Sequence, residues 1–262
     1  MSLEINQVYC GDCFDYFHKI NDGSVDLILT DPPYGTTKCK WDVSIPLTKM
    51  WVEFERIIKP NGAIVITGTQ PFTSILVTSN LKMFRYDWYW EKEKGANFLF
   101  ANRMPMKVIE TISVFYKKQP TYNPQKVVNP AGLSNKHLYD RKARFTANMK
   151  SVMGLSWKEP APNGYSYDYE PDKLLPQQLL YFPREQRGKV HPTQKPVALF
   201  EYLISTYTNQ GDLVIDPFAG SGTTGVACMN LNRNYILIEK EIHYADTINN
   251  RLHVNSDKGI TQ

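Results

Sequence analysis

Cysteine is scarce in this sequence: Cys10, Cys13, Cys39 and Cys228 are the four in 262 residues. They are too few and too scattered for a disulfide framework, so reduced thiols are expected. The stretch CGDC does place Cys10 and Cys13 at the spacing of half a zinc site or a redox pair. No second cysteine pair supplies further ligands, so a strand end and turn with small side chains is the simpler reading, and no metal is expected. Long apolar runs are also missing. No segment approaches the roughly 20 residues that span a bilayer, and MSLEINQVYCGD lacks the basic region and apolar stretch of a signal peptide. The expectation is a soluble, cytoplasmic protein without a membrane role. Charge of one sign is not in large excess. Thirty Lys and Arg against 26 Asp and Glu leave a formal net charge of +4, which permits a nucleic-acid partner without requiring one. No internal repeat or low-complexity tract is visible.

What is present is alternation. NQVYCGD reads as a short strand and turn, CFDYFHKI as a helix, and VDLILT as a buried strand. PLTKMWVEFERIIKPNG sets Met50, Trp51, Phe54, Ile57 and Ile58 on a helical stripe that stops at Pro60, Asn61 and Gly62. AIVITG then suits a buried strand and PFTSILVTSNL a helix. FRYDWYW and ETISVFYKK suit two strands on either side of a loop, EKEKGANFLFANRMPMKV. Strand alternating with helix predicts an open sheet covered on both faces. From residue 118 to residue 187 the texture changes to Pro, Asn, Lys and Tyr with little periodicity. The cluster of Tyr165, Tyr167, Tyr169, Leu174, Leu175, Leu179, Leu180, Tyr181 and Phe182 is too apolar for a disordered linker. This is read as an inserted module, and residues 1–117 and 188–262 as one α/β domain. In the second part, KPVALFEYLISTYT, DLVID, TTGVACMNLN, NYILIE and EIHYADTINNRL alternate helix and strand again.

DLVIDPFAGSGTTGVA carries Gly220, Gly222 and Gly225 in the spacing G-x-G-x-x-G, between a predicted strand and a predicted helix. Glycine lets backbone approach a ligand, and a helix N-terminus offers unpaired N–H groups. Glu239, nineteen residues after Gly220 and at the end of the next strand, is placed to bind both ribose hydroxyls of a nucleoside. The glycines alone do not choose the nucleotide, and an NAD-dependent oxidoreductase is the competing enzyme reading. Against it, a dinucleotide domain usually opens on this turn, whereas here one strand and two helices remain. Asp216 inside the turn also suits a cationic ligand group better than a pyrophosphate.

DPPYG, Asp31 to Gly35, follows VDLILT. Proline cannot donate to a sheet ladder, so the chain leaves the sheet there with a carboxylate, a proline carbonyl and an aromatic ring in one turn. On its own this is an ordinary proline-stiffened turn as readily as a site. A ligand turn expected at the same sheet edge favours the site.

Taken together, DPPYG, then HPTQKP (His191 to Pro196), then DPFAGSGTTG resemble, in that order, the β class of S-adenosylmethionine-dependent DNA amino-methyltransferases. The resemblance spans nearly the whole chain. It implies a Rossmann-like methyltransferase fold, with an open, mostly parallel sheet, a permuted motif order and a small inserted target-recognition region. It further implies that Asp216, Phe218, Gly220, Ser221, Gly222 and Thr223 line the methionine part of S-adenosylmethionine, and that Glu239 binds its ribose. Thr193 and Lys195 would hold its carboxylate, and Asp12, with the Cys13 backbone beside it, its adenine; Asp31 also borders the cofactor. His191 is read as a structural or phosphate-contacting residue in preference to a general base.

The chemistry requires two acceptors, because the amine lone pair of the target is delocalised into its ring. Asp31 and the Pro32 carbonyl would take the two N–H hydrogens, Pro33 would stiffen the turn, and Tyr34 would stack on a base flipped out of the duplex. In this family DPPY goes mostly with adenine N6 and SPPY mostly with cytosine N4. The implied activity is therefore site-specific N6-adenine methylation of double-stranded DNA, with N4-cytosine methylation as the alternative. Carbon-5 methylation is set aside, since it needs a cysteine nucleophile, usually after a proline, and no cysteine here follows one. A non-catalytic nucleic-acid-binding module is a more distant reading. The polar loop TTKCKWD, with two lysines, is a candidate to close over the flipped base, and Lys92, Lys94 and Arg103 are candidate phosphate contacts. Target recognition is placed in the insert with Lys136, His137, Arg141, Lys142, Arg144, Lys150, Arg184 and Arg187. DNA is the implied partner, a restriction-modification setting the implied context, and a homodimer the expected assembly.

Overall fold

The computed structural model describes residues 2–35, 44–128, 173–185, 190 and 194–259. Strands β1 (Gln7–Cys10), β2 (Val25–Thr30), β3 (Ile58–Gly68), β4 (Phe84–Ala96), β5 (Lys107–Phe115), β8 (Leu179–Tyr181), β9 (Leu213–Asp216) and β10 (Asn234–Glu239) form one sheet. Its order among the described residues is β1-β10-β9-β2-β3-β5-β4-β8. The run from β1 to β3 is parallel; β5 pairs antiparallel with both β3 and β4, and β8 returns parallel to β4. The helices are α1 (Leu47–Ile57), α2 (Phe72–Ser79), α3 (Val197–Tyr207), α4 (Thr223–Asn230) and α5 (Ile242–Gly259).

Each central strand is apolar on both faces, as a sheet covered on both sides requires. In β2, Leu27 and Leu29 pack with Leu199, Leu203 and Ile204 of α3, Val226 of α4 and Ile248 of α5. Ile28 faces the other way, with Met50, Phe54 and Ile57 of α1 and Leu76 of α2. The crossover from β2 to β3 therefore runs over one face through α1, and that from β9 to β10 over the opposite face through α4. Neighbouring β2 and β9, paired at Leu27–Val214 and Ile28–Ile215, thus mark a topological switch point, where α/β sheets bind ligands at the carboxyl ends of their strands.

Two local expectations give way. CFDYFHKI is not an α-helix but two three-residue 3₁₀ turns, Cys13–Asp15 and Phe17–Lys19. The break falls at Tyr16, whose hydroxyl donates to the Cys10 carbonyl at 2.8 Å. EKEKGANFLFANRMPMKV is a loop only in its middle: β4 runs on to Ala96 and β5 starts at Lys107, because their ladder continues through Glu91–Ile109 to Ala96–Lys107.

The chain divides into two compact units, residues 1–123 with 177–262, and residues 124–176. The second is narrower than the expected insert, since Leu180 is buried in the sheet unit and β8 pairs with β4 there. The described part of residues 124–176 includes an antiparallel pairing of β6 (Val127–Val128) with β7 (Lys173–Leu174). Tyr165, Tyr167, Tyr169, Lys136, His137, Arg141, Lys142, Arg144, Lys150 and Arg187 lie outside the described residues. No helix among the described residues is long and apolar enough to cross a membrane.

Candidate active site

A cavity of about 640 Å³ opens at the carboxyl ends of β1, β2, β9 and β10, a size suited to a cofactor. Its walls bring together Asp12, Cys13, the DPPY residues, Lys195, Asp216, Phe218, Gly220, Ser221, Thr223 and Glu239, which the sequence spreads over more than two hundred positions. Gly222 is not part of the wall. It serves the turn instead, with φ of +75° and a missing Cβ that would fall 2.7 Å from Ile248 Cγ2. Gly225 likewise makes room for Leu237 and Leu252, bringing α4 close to the sheet. Gly220 has φ of +52°, and a Cβ there would enter open space, with nothing nearer than 3.9 Å. That space is what a backbone meant to touch a ligand leaves clear.

Glu239 holds the turn in register. One oxygen accepts from Gly220 N–H at 2.7 Å and the other from Glu241 N–H at 2.9 Å. A carboxylate oxygen accepts two bonds, so both retain capacity toward two hydroxyls. Burial raises its pKa, only partly offset by the backbone N–H groups. Asp12 accepts from Phe14 N–H at 3.1 Å and from Lys240 at 3.0 Å. Burial raises the Asp12 pKa, but those two partners outweigh it and hold it low. Beside it, burial and then the Asp12 charge push the Cys13 thiol up to about 12, which keeps it out of thiolate chemistry. Among the described residues no cluster of metal-ligating side chains occurs.

Asp216 is 3% exposed and accepts from Thr30 at 2.6 Å, Thr224 at 2.5 Å and Phe218 N–H at 3.1 Å. Burial outweighs these donors and pushes its pKa up to about 6.

Asp31 leaves the sheet one residue after Thr30, beside Thr67 at the end of β3. One of its oxygens accepts from both the Tyr34 and Thr67 hydroxyls, and the other from Lys195 Nζ at 2.5 Å. Of the roughly four acceptor positions of a carboxylate, these three donors leave one. Tyr34 stacks one ring face on Phe72, at 5.0 Å between centroids, which restricts the face it can offer to a base. Burial and the Asp31 charge raise the Tyr34 pKa well above its ordinary value, so its hydroxyl stays a donor.

Lys195 precedes α3 and is tied to the glycine turn through its carbonyl, which accepts from Thr223 Oγ1 at 3.3 Å. Its ammonium lies 3.3 Å from Glu110 as well as on Asp31. Burial lowers the Lys195 pKa, but Asp31, Tyr34 and Glu110 together raise it well above normal. Thr193 and His191 lie outside the described residues, as does TTKCKWD.

Several wall residues escaped the sequence reading. Glu110 is the clearest, bonded to Lys92 at 3.0 Å. Lys92 is 6% exposed, which rules it out as a surface phosphate contact and corrects that expectation. A signal existed: on β5 Glu110 continues the face of Ile112 and Val114, and on β4 Lys92 continues that of Trp88 and Trp90, so a charge interrupts each apolar face. Arg184, expected in the insert, also lines the cavity, and its guanidinium donates to the Lys94 carbonyl.

A family model described as DNA methylase matches residues 25–250. The type II methyltransferase M1.MboII of Moraxella bovis is 30% identical over 97% of this chain and 100% of its own length. M.HpaI of Haemophilus parainfluenzae is 27% identical over 94% of this chain and 74% of its length. Among solved structures, an M1.HpyAVI–SAM complex superposes with a TM-score of 0.60 at 26% identity, covering 94% of this chain and 99% of that one. The cytosine-N4-specific PvuII DNA methyltransferase shares the fold, with a TM-score of 0.62 at 17% identity over 98% of this chain and 92% of that one.

Proposed function

Because the chain belongs to the DNA methylase family of S-adenosylmethionine-dependent amino-methyltransferases, we propose that it methylates N6 of a flipped adenine at a specific site in double-stranded DNA. The observation that carries this reading is Asp31, an acid and not a serine, held at a sheet edge with one acceptor position open. When bound, S-adenosylmethionine supplies a methyl group made electrophilic by its sulfonium. Glu239, Asp12, Asp216, Phe218, Gly220, Ser221 and Thr223 would hold it, with Lys195 and Thr193 toward its carboxylate. The room above Gly220 and the spare capacity of Glu239 fit that group.

The open position on Asp31 and the Pro32 carbonyl accept the two hydrogens of the target amine. That draws its nitrogen toward a tetrahedral geometry, aims the lone pair, and stabilises the charge that develops. Pro33 keeps the turn stiff. Tyr34 holds Asp31 by its hydroxyl and offers its ring to the flipped base. Target recognition falls to residues 118–187, with DNA phosphates met by exposed Lys94 and Arg103. The kinship with type II enzymes supports a restriction-modification setting, and the family resemblance a homodimer, which sedimentation of the full chain tests.

The deciding experiment treats mixed-sequence DNA with the protein and S-adenosylmethionine and maps modified bases at nucleotide resolution. N6-methyladenine at one short sequence is expected; N4-methylcytosine would overturn the base assignment. Asp31→Ala should reduce transfer by at least a thousandfold while cofactor binding by calorimetry persists.

A further inference from the structure

Four buried or nearly buried charges run through the cavity wall in alternating sign: Lys92, Glu110, Lys195 and Asp31. Lys92 Nζ donates to Glu110 Oε1 at 3.0 Å, Glu110 Oε2 lies 3.3 Å from Lys195 Nζ, and Lys195 Nζ donates to Asp31 Oδ2 at 2.5 Å. Their side chains are 6%, 15%, 7% and 20% exposed. They come from β4, β5, the approach to α3 and the exit from β2. No two are local neighbours, and only the tertiary fold assembles the row.

As a device for stability the row is a poor choice. Glu110 sits in register opposite Trp90 and continues the face of fully buried Ile112 and Val114, where an apolar side chain would pack without desolvating a charge. Buried ion pairs replaced by apolar residues of similar size are often neutral or stabilising changes. Glu110 Oε2 is moreover buried and faces the Lys195 ammonium at 3.3 Å without a well-formed hydrogen bond, so its desolvation is offset by charge attraction alone. Departures of this kind collect at functional sites.

What the row does is set the direction of Asp31. Two hydroxyls fix one of its oxygens, so rotation of the carboxylate is decided by where Lys195 holds the other. Lys195 in turn stands between two acids. We infer that Glu110, braced by Lys92, is a positioning residue for methyl transfer: it holds the Lys195 ammonium so that the remaining acceptor position of Asp31 faces the target amine. This rests on the reading of Asp31 given above.

Glu110→Gln tests it, since the amide keeps the shape and can still accept from Lys92 but loses the charge that holds Lys195. The measurement is single-turnover methyl transfer to DNA from the preformed cofactor complex. A slowing of at least tenfold is expected, with cofactor affinity within threefold of wild type. In the paired variant Lys92→Met/Glu110→Met, an apolar pair replaces the ion pair. It should melt no lower than wild type and still transfer at least tenfold slower, an outcome that a purely structural role would not give. Transfer within twofold of wild type in either variant overturns the inference, as does a loss confined to cofactor affinity. Asp31→Ala run alongside separates the two ideas. If it is inactive while Glu110→Gln is active, only the role of Glu110 fails; if Asp31→Ala remains active, the reading of Asp31 fails and takes this one with it.

Discussion

Asp216 shows how a single residue can serve a site at the expense of the fold. Its carboxyl is buried and pushed up to about 6, against an ordinary value near 3.8. The folded protein therefore keeps a proton that the unfolded chain releases. From about pH 4 to about pH 6, the folded state loses up to about 3 kcal/mol of stability from this group as pH rises. Asp216→Asn should remove that slope, because the amide can still accept from Thr30 and Phe218 N–H while the Thr224 hydroxyl turns to accept. Urea unfolding at pH 4, 5, 6 and 7 reads the difference, and parallel curves for the two proteins would contradict it. In the function proposed above, the acid faces the cationic groups of the cofactor.

At the scale of elements, the β4–α3 contact holds the antiparallel edge of the sheet to the helix that begins just after Lys195. Tyr207, 1% exposed near the end of α3, accepts from Trp88 Nε1 at 2.7 Å and shares a hydrogen bond with Tyr86 at 2.9 Å. Tyr207→Phe leaves the Trp88 N–H buried without a partner, at a cost of about 2 kcal/mol. For a chain of this size that is a melting midpoint roughly 5 °C lower. Calorimetric scans would show it, and an unchanged midpoint would mean another acceptor takes over. The same pair of elements carries Lys92 and Lys195 into the wall, so the packing of α3 on β4 also sets the spacing of the charge row.

For the whole molecule, the site draws on both halves of the sheet: β1, β9 and β10 with the glycine turn on one side, β2 and β3 with DPPY on the other. A ligand that binds only the assembled site stabilises all of it. S-adenosylmethionine at about a hundred times its dissociation constant should add about 2.7 kcal/mol, a rise of roughly 5–10 °C in melting midpoint. Glu239→Ala, which removes the proposed ribose contact and the brace on Gly220, should show less than half that rise at the same concentration. An equal rise would place the ribose elsewhere.

Much of this was legible from the sequence, because the local rules are strong where they apply. Apolar runs that stop at an acid, glycine φ requirements and the order of DPPY, HPTQKP and the glycine turn depend on neighbours along the chain. Those signals suffice for the α/β class and for the family, and they mark out Asp31, Asp12, Glu239 and Gly220, which the fold brings to one cavity. Short aromatic stretches such as CFDYFHKI read less well, since a side chain bonding backward can divide a helix.

What the tertiary structure alone decided is how the charges are shared. Lys92 looks in sequence like a phosphate contact, yet it is turned inward onto Glu110, and Lys195, read in sequence for the cofactor carboxylate alone, also joins Glu110 and Asp31. Sequence spacing fixes which face of a strand a side chain takes. It does not say which charge from another strand, many residues away, will meet it there. That is set when the sheet order brings β2, β4, β5 and the approach to α3 together, and burial then forces each charge to find its opposite.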